Sequence, residues 1–456
     1  MMGRLKSFVR PLVSPAVLLW YHRFLAEAAA FVYGYPSRQM VVIGVTGTKG
    51  KTTTSVLLTR ILEKVGYKVG LATTALIKVG EREELNAYKM TMLGRFKLQK
   101  LLKDMVDAGC THAVIETSSE GILQHRHRGI AYDLALITNL TPEHLEAHGG
   151  FDAYRDAKRE LFRAVSTRPP KAVGGKVVPR TFVVNGCFFD AARFMDMPAD
   201  RLVTFHMEDG CERCVVPPAF LRIGYTRLMA TQLVLSADAV SFRVGETALR
   251  LGMPGRASAW NALAAFAAAA ALGVPQKTAV DALAAVTGVP GRIERITAGQ
   301  PFTAIVDYAH EPESFRQIFD AVGKPAGRII HVFGATGGGR DSARRPVMGE
   351  ISSTRADIVI VTTDDPYDDD PAELNRQVIA GVKGKILGET LHDIVDRRAA
   401  IAKAVECARP DDLVLVTGKG AEQAMVLSGG RKIPWDDRTI LREEIAKRYG
   451  TLHASS

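Results

Sequence analysis

The sequence is poor in the features that mark several protein classes. Only five of its 456 residues are cysteine (Cys110, Cys187, Cys211, Cys214 and Cys407), an odd number without the dense spacing of a secreted disulfide framework. That scarcity favours a reducing cytoplasm. The stretch Cys211-Glu212-Arg213-Cys214 has half of a zinc-site spacing, but no second CxxC and no HxxxH completes four ligands. The preferred reading there is an exposed loop with two free thiols. No RNA- or DNA-binding motif is present, so nucleic acid is not expected as a partner. No internal repeat or low-complexity tract is evident.

Long apolar runs are also missing. The stretch from Leu12 to Tyr35 is interrupted by His22, Arg23 and Glu27, which argues against both a cleaved signal peptide and a spanning helix. Residues 1–38 are expected to form a short helical segment. Trp20, Tyr21, Phe24, Phe31 and Tyr33, with Arg4, Lys6 and Arg10 before them, would suit peripheral contact with a membrane surface. Docking on the protein's own core is the preferred alternative.

What remains is the composition of an ordinary globular protein, 47% hydrophobic and 24% charged, long enough for two or three domains. Lys+Arg number 59 against 49 Asp+Glu, a formal net charge of +10 that attracts anions such as nucleotides and phosphorylated substrates.

From Gln39 onward short apolar runs alternate with helical patterns. Met40 to Val45 reads as a buried strand, followed by a Gly/Thr loop and a helical run from Lys51 to Val65. Further strands are expected at 68–72, 113–116, 134–138 and 182–185, shorter β pieces at 231–235 and 240–244, and an alanine-rich helix at 257–272. A second strand-helix series starts near Phe302, with strands at 303–306, 328–333, 358–362 and 413–417. The fold class expected is α/β: a central phosphate-loop ATPase domain with a mostly parallel sheet (39–291) and a C-terminal Rossmann-like domain (292–456). The turn signal Val289-Pro290-Gly291 marks the boundary.

The loop Gly47-Thr48-Lys49-Gly50-Lys51-Thr52-Thr53 carries the chemistry. Glycines let backbone N–H groups approach phosphate oxygens, and the following helix presents its positive end. Lys51 would neutralise the outer phosphates, and the Thr52 hydroxyl can ligate magnesium. The usual first glycine is absent, since Val45 stands there.

That variant loop resembles the ATP loop of the Mur ligases, which build the peptide of the bacterial cell wall. Glu116-Thr117-Ser118-Ser119, Thr138-Asn139-Leu140 with His144, Tyr154 to Lys158, Gly255-Arg256 with Asn261, Pro290-Gly291-Arg292 and Asp307-Tyr308-Ala309-His310 follow in the family's order, over residues 40 to 440. The resemblance implies an ATP-dependent amide-bond-forming ligase. In such an enzyme a carboxylate is phosphorylated by ATP and an amine then attacks the acyl phosphate. It places one Mg2+ on Thr52 and Glu116, and a second on His144 and an N6-carboxylated Lys158. Asn261 would contact adenine, Asp307 the ribose, and Arg292 and His310 the phosphates. Ser258 stands where the family has a further asparagine.

Within the family the motifs are most similar to the branch that adds a diamino acid to UDP-muramoyl-dipeptide. Ser119, Gln124 and Arg126 would meet the muropeptide. Arg340, Asp364, Asp365, Gly418 and Glu422 would meet the diamino acid. Tyr367 replaces the arginine that receives the extra carboxylate of meso-diaminopimelate, and the absence of a nearby cation makes L-lysine the expected substrate. Fewer than 50 residues precede the ATP loop, where that branch carries a longer UDP-holding region, and Thr91-Met92-Leu93 replaces its Thr-Thr-Pro. A lipid-linked or other carboxylate acceptor is therefore an alternative. So is a folylpolyglutamate-synthase-like ligase, against which Lys51-Thr52-Thr53 and Gln124-His125-Arg126 argue. A related enzyme that amidates lipid-linked muropeptide carries a four-cysteine zinc insertion that this chain lacks. A non-enzymatic tethered binding module is the remaining reading.

Overall fold

The computed structural model describes residues 15–142, 148–211, 224–339 and 342–450. His144, Arg340 and Cys214 lie outside the described residues.

Strand Val41–Thr46 sits in the interior of an eleven-stranded sheet, paired in parallel with His112–Glu116 on one side and Leu134–Ile137 on the other. Beyond His112–Glu116 come Val69–Ala72 and a hairpin, Leu76–Val79 with Arg82–Leu85. In the other direction lie Thr181–Asn185, Arg201–Met207 and Tyr225–Leu235, all parallel. The antiparallel strands Val240–Val244 and Thr247–Leu251 finish that edge. The alternation expected for a sheet covered on both faces is visible in Val41–Thr46 itself. Ile43 and Val45 join one core, with the helices Lys51–Lys64 and Arg256–Ala271 packed against it, while Val42 joins a second on the opposite face. The strands Arg201–Met207 and Thr247–Leu251 and the hairpin 76–85 were not anticipated, because short runs with mixed polarity leave a weak period-two signal.

A separate six-stranded sheet begins at Glu294–Arg295, which pairs antiparallel with Thr303–Asp307. The remaining strands are parallel, in the order Thr303–Asp307, Leu413–Thr417, Ile329–Ala335, Ile358–Thr363, Leu391–Asp393. Under the carboxyl ends of these strands lies a fully buried pair. Arg397 donates to both oxygens of Asp437, Nε to Oδ1 at 2.9 Å and Nη2 to Oδ2 at 2.6 Å, and also to the carbonyls of Thr363 and Thr417. Both partners have no exposed side-chain surface. A bidentate guanidinium of this kind ties two strand ends together and fixes the loops that follow them.

The helix Pro15–Val32 docks on the protein through its small residues. Ala26, Ala29 and Ala30 are buried, at helical spacing, on the side facing helix Arg95–Asp107. Its large side chains point the other way: Trp20 is 66% and Phe31 73% exposed, beside exposed Tyr21, Phe24 and Val32. Among the described residues no helix is long and apolar enough to cross a membrane.

Candidate active site

The ATP loop runs from the end of strand Val41–Thr46 to the first turn of helix Lys51–Lys64. Its two glycines have separate steric reasons. Gly47 has φ +141°, and a Cβ there would lie 2.0 Å from Thr138 Oγ1; Gly50 caps the helix at φ +81°, where a Cβ would lie 2.1 Å from Asn261 Oδ1. The spacing that looked irregular in the sequence is set by these two close approaches. Asn139 pins the middle of the loop, accepting from Lys49 N–H at 2.9 Å and donating to the Lys49 carbonyl at 3.1 Å. The Thr48 hydroxyl lies 3.1 Å from the Tyr154 hydroxyl. Lys51 Nζ donates to the carbonyls of Gly47 at 3.1 Å and Thr48 at 2.8 Å, which holds the ammonium across the mouth of the loop. Thr53 packs inward from the first turn of the helix.

Buried Thr52 and Glu116 meet, with Thr52 Oγ1 donating to Glu116 Oε2 at 2.8 Å. Thr74 donates to the same carboxylate through its backbone N–H at 2.8 Å and its hydroxyl at 3.2 Å, and its hydroxyl lies 2.9 Å from that of Thr91. A hydroxyl and a carboxylate at the N-terminus of a helix are hard oxygen donors of the kind Mg2+ takes. Arg292, from the C-terminal sheet's side, reaches the same spot: its Nη2 donates to Thr52 Oγ1 at 3.2 Å while its guanidinium lies 4.3 Å from the Tyr308 ring centre.

Lys158 is 1% exposed. Its Nζ donates to Gly47 O at 2.8 Å and sits 4.4 Å from the Tyr154 ring centre. The other face of this corner is formed by His148, whose ring lies edge-on to Tyr154 at 5.0 Å and whose two buried nitrogens have no hydrogen-bond partner among the described residues. His148 was missed in the sequence, where a second imidazole four residues after His144 was the available signal. Burial, and then the Lys158 charge, push its pKa down.

Asp307 does more structural work than expected of a ribose contact. Its Oδ2 accepts from Ile293 N–H at 2.8 Å and its Oδ1 from Ala309 N–H at 2.7 Å. Burial raises its pKa against the opposing effect of Arg292 and of these two donors. His310 Nδ1 lies 2.8 Å from the Tyr308 carbonyl, and the neighbouring Glu311 pairs with Arg344 at 3.0 Å and with Lys49 of the ATP loop at 3.5 Å.

Ser119, Gln124 and Arg126 gather on the short helix Ser119–Leu123 and the turn behind it. Arg126 donates to Gln124 Oε1 at 2.6 Å and to the Met92 carbonyl, and Arg95 donates to the Gln124 carbonyl. Burial lowers the pKa of both guanidinium groups, and for Arg95 the Arg126 charge adds to it. Two half-buried guanidinium groups so close together make this corner electropositive.

Asp364, Asp365, Gly418 and Glu422 also come together, with a correction. The expectation that no cation stands near is wrong. Lys419 Nζ lies 3.3 Å from Asp364, 2.8 Å from Asp365 and 2.9 Å from Glu422, and Lys89 Nζ, from the central domain's loop, pairs with Asp365 and lies 2.9 Å from Glu422. Burial would raise Asp364, but Lys419, then Arg397 and Lys89, hold its carboxyl down at about 2. Asp368 and Asp369 accept backbone N–H groups of Gly429 and Gly338, and Asp370 caps the next helix, so these three are turn and cap residues. Tyr367 takes φ +52° and lies against Gly338.

The reading of Cys211 as a free thiol is also corrected. Its sulfur is bonded to that of Cys187, 24 residues earlier.

A strand, glycine loop and helix with a hydroxyl-carboxylate pair beneath it, facing a Rossmann-like sheet across the cleft, defines an ATP-dependent ligase of the acid-amino-acid type. Residues 45–269 match the Mur ligase middle domain and residues 291–420 the Mur ligase glutamate ligase domain. The chain belongs to the Mur ligase family. It is 39% identical over 433 residues to the UDP-N-acetylmuramyl-tripeptide synthetase of Roseiflexus sp. (strain RS-1), covering 93% of this chain and 82% of that protein. It is 36% identical over 430 residues to the UDP-N-acetylmuramoyl-L-alanyl-D-glutamate--2,6-diaminopimelate ligase of Geobacillus kaustophilus (strain HTA426), covering 93% and 83%. A solved 2,6-diaminopimelate ligase of the same name superposes with a TM-score of 0.57 at 26% identity, over 90% of this chain and 79% of that one.

Proposed function

We propose that this ligase adds a diamino acid to a UDP-muramoyl-dipeptide or related muropeptide, through an acyl phosphate formed from ATP, as a step of peptidoglycan precursor synthesis in the cytoplasm. The observation that carries this reading is the continuity of one cleft. From Glu116 the hydrogen bonds run through Thr74 to Thr91; two residues before Thr91, Lys89 joins the Asp365-Glu422 pocket, and one residue after it the Met92 carbonyl accepts from Arg126, so the ATP loop, the Arg95-Arg126 corner and the carboxylate pocket face a common space.

In this reading residues 39–291 form the ATP-binding domain and 292–456 the domain that brings the amino acid. Gly47, Thr48, Lys49, Gly50, Lys51 and Thr53 hold the phosphates together with Arg292 and His310, while Asn261 contacts the adenine and Asp307 the ribose. Thr52 and Glu116 would hold one Mg2+, and His144 with an N6-carboxylated Lys158 a second. Carbon dioxide on Nζ turns a cation into an oxygen ligand, and the buried corner with His148 offers that group a place. Bound Mg2+ would neutralise the anionic oxygens crowded together during phosphoryl transfer. Arg126, Gln124 and Ser119 orient the muropeptide, and Arg292 crosses from the second domain to the reacting phosphate.

For the incoming amino acid, three carboxylates (Asp364, Asp365, Glu422) face two ammonium groups (Lys89, Lys419), which leaves one negative charge for a substrate ammonium. Neutral Tyr367 offers nothing to a second substrate carboxylate, so L-lysine is favoured over meso-diaminopimelate, with Arg340 and Gly418 left for the α-carboxylate. The exposed aromatic side of helix Pro15–Val32 supports peripheral contact with anionic membrane, which full-length chain with Trp20→Glu and Phe24→Glu should lose in vesicle sedimentation.

The deciding measurement is phosphate release with UDP-muramoyl-dipeptide paired in turn with lysine, ornithine and meso-diaminopimelate. Stimulation that requires both substrates is expected, strongest with lysine. No stimulation by any pair would sink the assignment, and stimulation by meso-diaminopimelate alone would overturn the choice of lysine.

A further inference from the structure

We infer that Cys187, His206 and Cys211 form a binding site for a thiophilic divalent cation, Zn2+ by its chemistry, that fills when the Cys187–Cys211 bond is reduced and braces the nucleotide-binding face from behind.

The three side chains come from distant points: Cys187 just past strand Thr181–Asn185, His206 near the end of strand Arg201–Met207, and Cys211 on the turn after it. One donor atom of each lies within 4.8 Å of the others. Two thiolates and an imidazole are the donor set that soft-to-borderline cations select, and one that hard Mg2+ avoids. In a tetrahedral zinc site, bonds of about 2.0–2.3 Å set neighbouring donors about 3.5–3.8 Å apart. His206 Nδ1 already lies 3.7 Å from Cys187 Sγ.

The imidazole is held for that role. Its Nε2 lies 3.0 Å from Thr204 Oγ1, which in turn lies 3.0 Å from the Tyr225 hydroxyl. With one nitrogen engaged in this chain, the other is aimed at the sulfurs, the arrangement by which outer partners orient a ligating histidine. His206 itself is fully buried, and its ring lies over Gly186, where a Cβ would come within 2.0 Å of it. Such a ring has no freedom to turn away.

The site is wired to the ATP loop on two sides. Cys187 N–H donates to Asn185 Oδ1 at 2.9 Å, Asn185 Nδ2 to the Thr138 carbonyl at 2.7 Å, and Thr138 Oγ1 to the Lys49 carbonyl at 2.6 Å. On the other side Asp209, two residues before Cys211, pairs at 2.8 Å with Arg256, the first residue of the helix that carries Asn261. A cation joining Cys187 to Cys211 therefore ties together the two supports of Gly47 and Gly50.

The chemistry balances with a dithiol as reductant. Two electrons and two protons pass from the dithiol to the Cys187–Cys211 bond, giving two thiols and the reductant's own disulfide. Metal entry then displaces the two thiol protons to solvent. In the oxidised chain neither sulfur can become a thiolate, so the imidazole nitrogen is the one strong donor left at the site.

The test is cobalt and zinc binding to the full-length chain after reduction with a phosphine, removal of metal by a chelator, and confirmation of the thiols by titration. About one equivalent of Co2+ should then give an intense thiolate-to-cobalt charge-transfer band that Zn2+ abolishes. Cys187→Ser and Cys211→Ser should weaken binding by about 100-fold or more, and the oxidised chain should give no band. Since the variants could misfold, alkylation of the wild-type chain provides a second readout: Zn2+ should slow labelling of Cys187 and Cys211 about tenfold or more while leaving Cys407 unchanged. Absence of the band in chain with verified thiols, a full band in Cys187→Ser, or unprotected labelling would each overturn the proposal. None of these readouts depends on ligase activity, so the site and the proposed reaction can fail separately.

Discussion

At the ATP loop, position is set by backbone and by the small residues that leave room for it. Gly47 and Gly50 admit Thr138 and Asn261, and Asn139 clamps Lys49 by its main chain. The carboxylate pocket of the C-terminal sheet is built the opposite way, from long charged side chains that neutralise one another: Lys89 and Lys419 among Asp364, Asp365 and Glu422, above the Arg397–Asp437 pair. The first arrangement tolerates a change of charge better than a change of shape. The second is the reverse, because burying a charge is costly once its partner is removed.

Substitutions should separate the two. Lys158→Ala should cut turnover by about 10³-fold or more, and a small carboxylic acid in excess should restore part of the rate. Full activity in that variant would refute the role given to Lys158. Asp437→Ala should cost about 3–5 kcal/mol in urea unfolding, since Arg397 would be left buried and uncompensated. An unchanged midpoint would mean that the pair is not what holds the strand ends.

Gly47→Ala tests shape directly. With φ at +141° and Thr138 in the way, it should lower ATP affinity by about 10- to 100-fold, the equivalent of about 1–3 kcal/mol of strain, measured by calorimetric titration. Wild-type affinity would show that the close approach is not needed for nucleotide binding.

The pH response should come from both sheets. Burial holds His112 down at about 4 and His331 at about 3 in the folded chain, while both return to about 6.5 when unfolded. Above pH 6.5 neither state binds these protons and the contribution to stability is complete. As pH falls below it the unfolded chain takes them up first, so stability should drop by about 1.4 kcal/mol per pH unit per histidine until the folded values are reached. Denaturant midpoints at pH 7.5, 6 and 5 check this, and a flat profile would contradict it. The smallest effect is expected for Lys89→Met, which adds a net negative charge to the pocket. It should shift the ratio of kcat/KM for lysine over meso-diaminopimelate a few-fold further toward lysine; an unchanged ratio would mean that Lys89 does not tune this pocket.

Much of the nucleotide side was legible in the sequence because it is local. A strand, a loop and a helix contiguous in the chain carry Gly47 to Thr53, and the expected helix at 257–272 is found at Arg256–Ala271. The carboxylate pocket was legible only as a set of residue types. Asp364, Asp365 and Glu422 were identified, but of the two cations that answer them, Lys419 lies next to Gly418 while Lys89 comes from 276 residues before Asp365 and has no local signature. His148 was passed over for the same reason, since its partners Tyr154 and Lys158 become neighbours only on the folded helix Phe151–Ser166.

The cysteines show the division most plainly. By sequence, Cys211 has a companion three residues on and no further ligands, which is why a metal reading was set aside. Folding places Cys187 and His206 beside it, because the parallel pairing of Thr181–Asn185 with Arg201–Met207 brings the ends of two strands together. Residue identity and local spacing determined that this chain would handle ATP. Where its charges meet, and which sulfurs share a site, was decided by strand order, which sets long-range neighbours that no local spacing encodes.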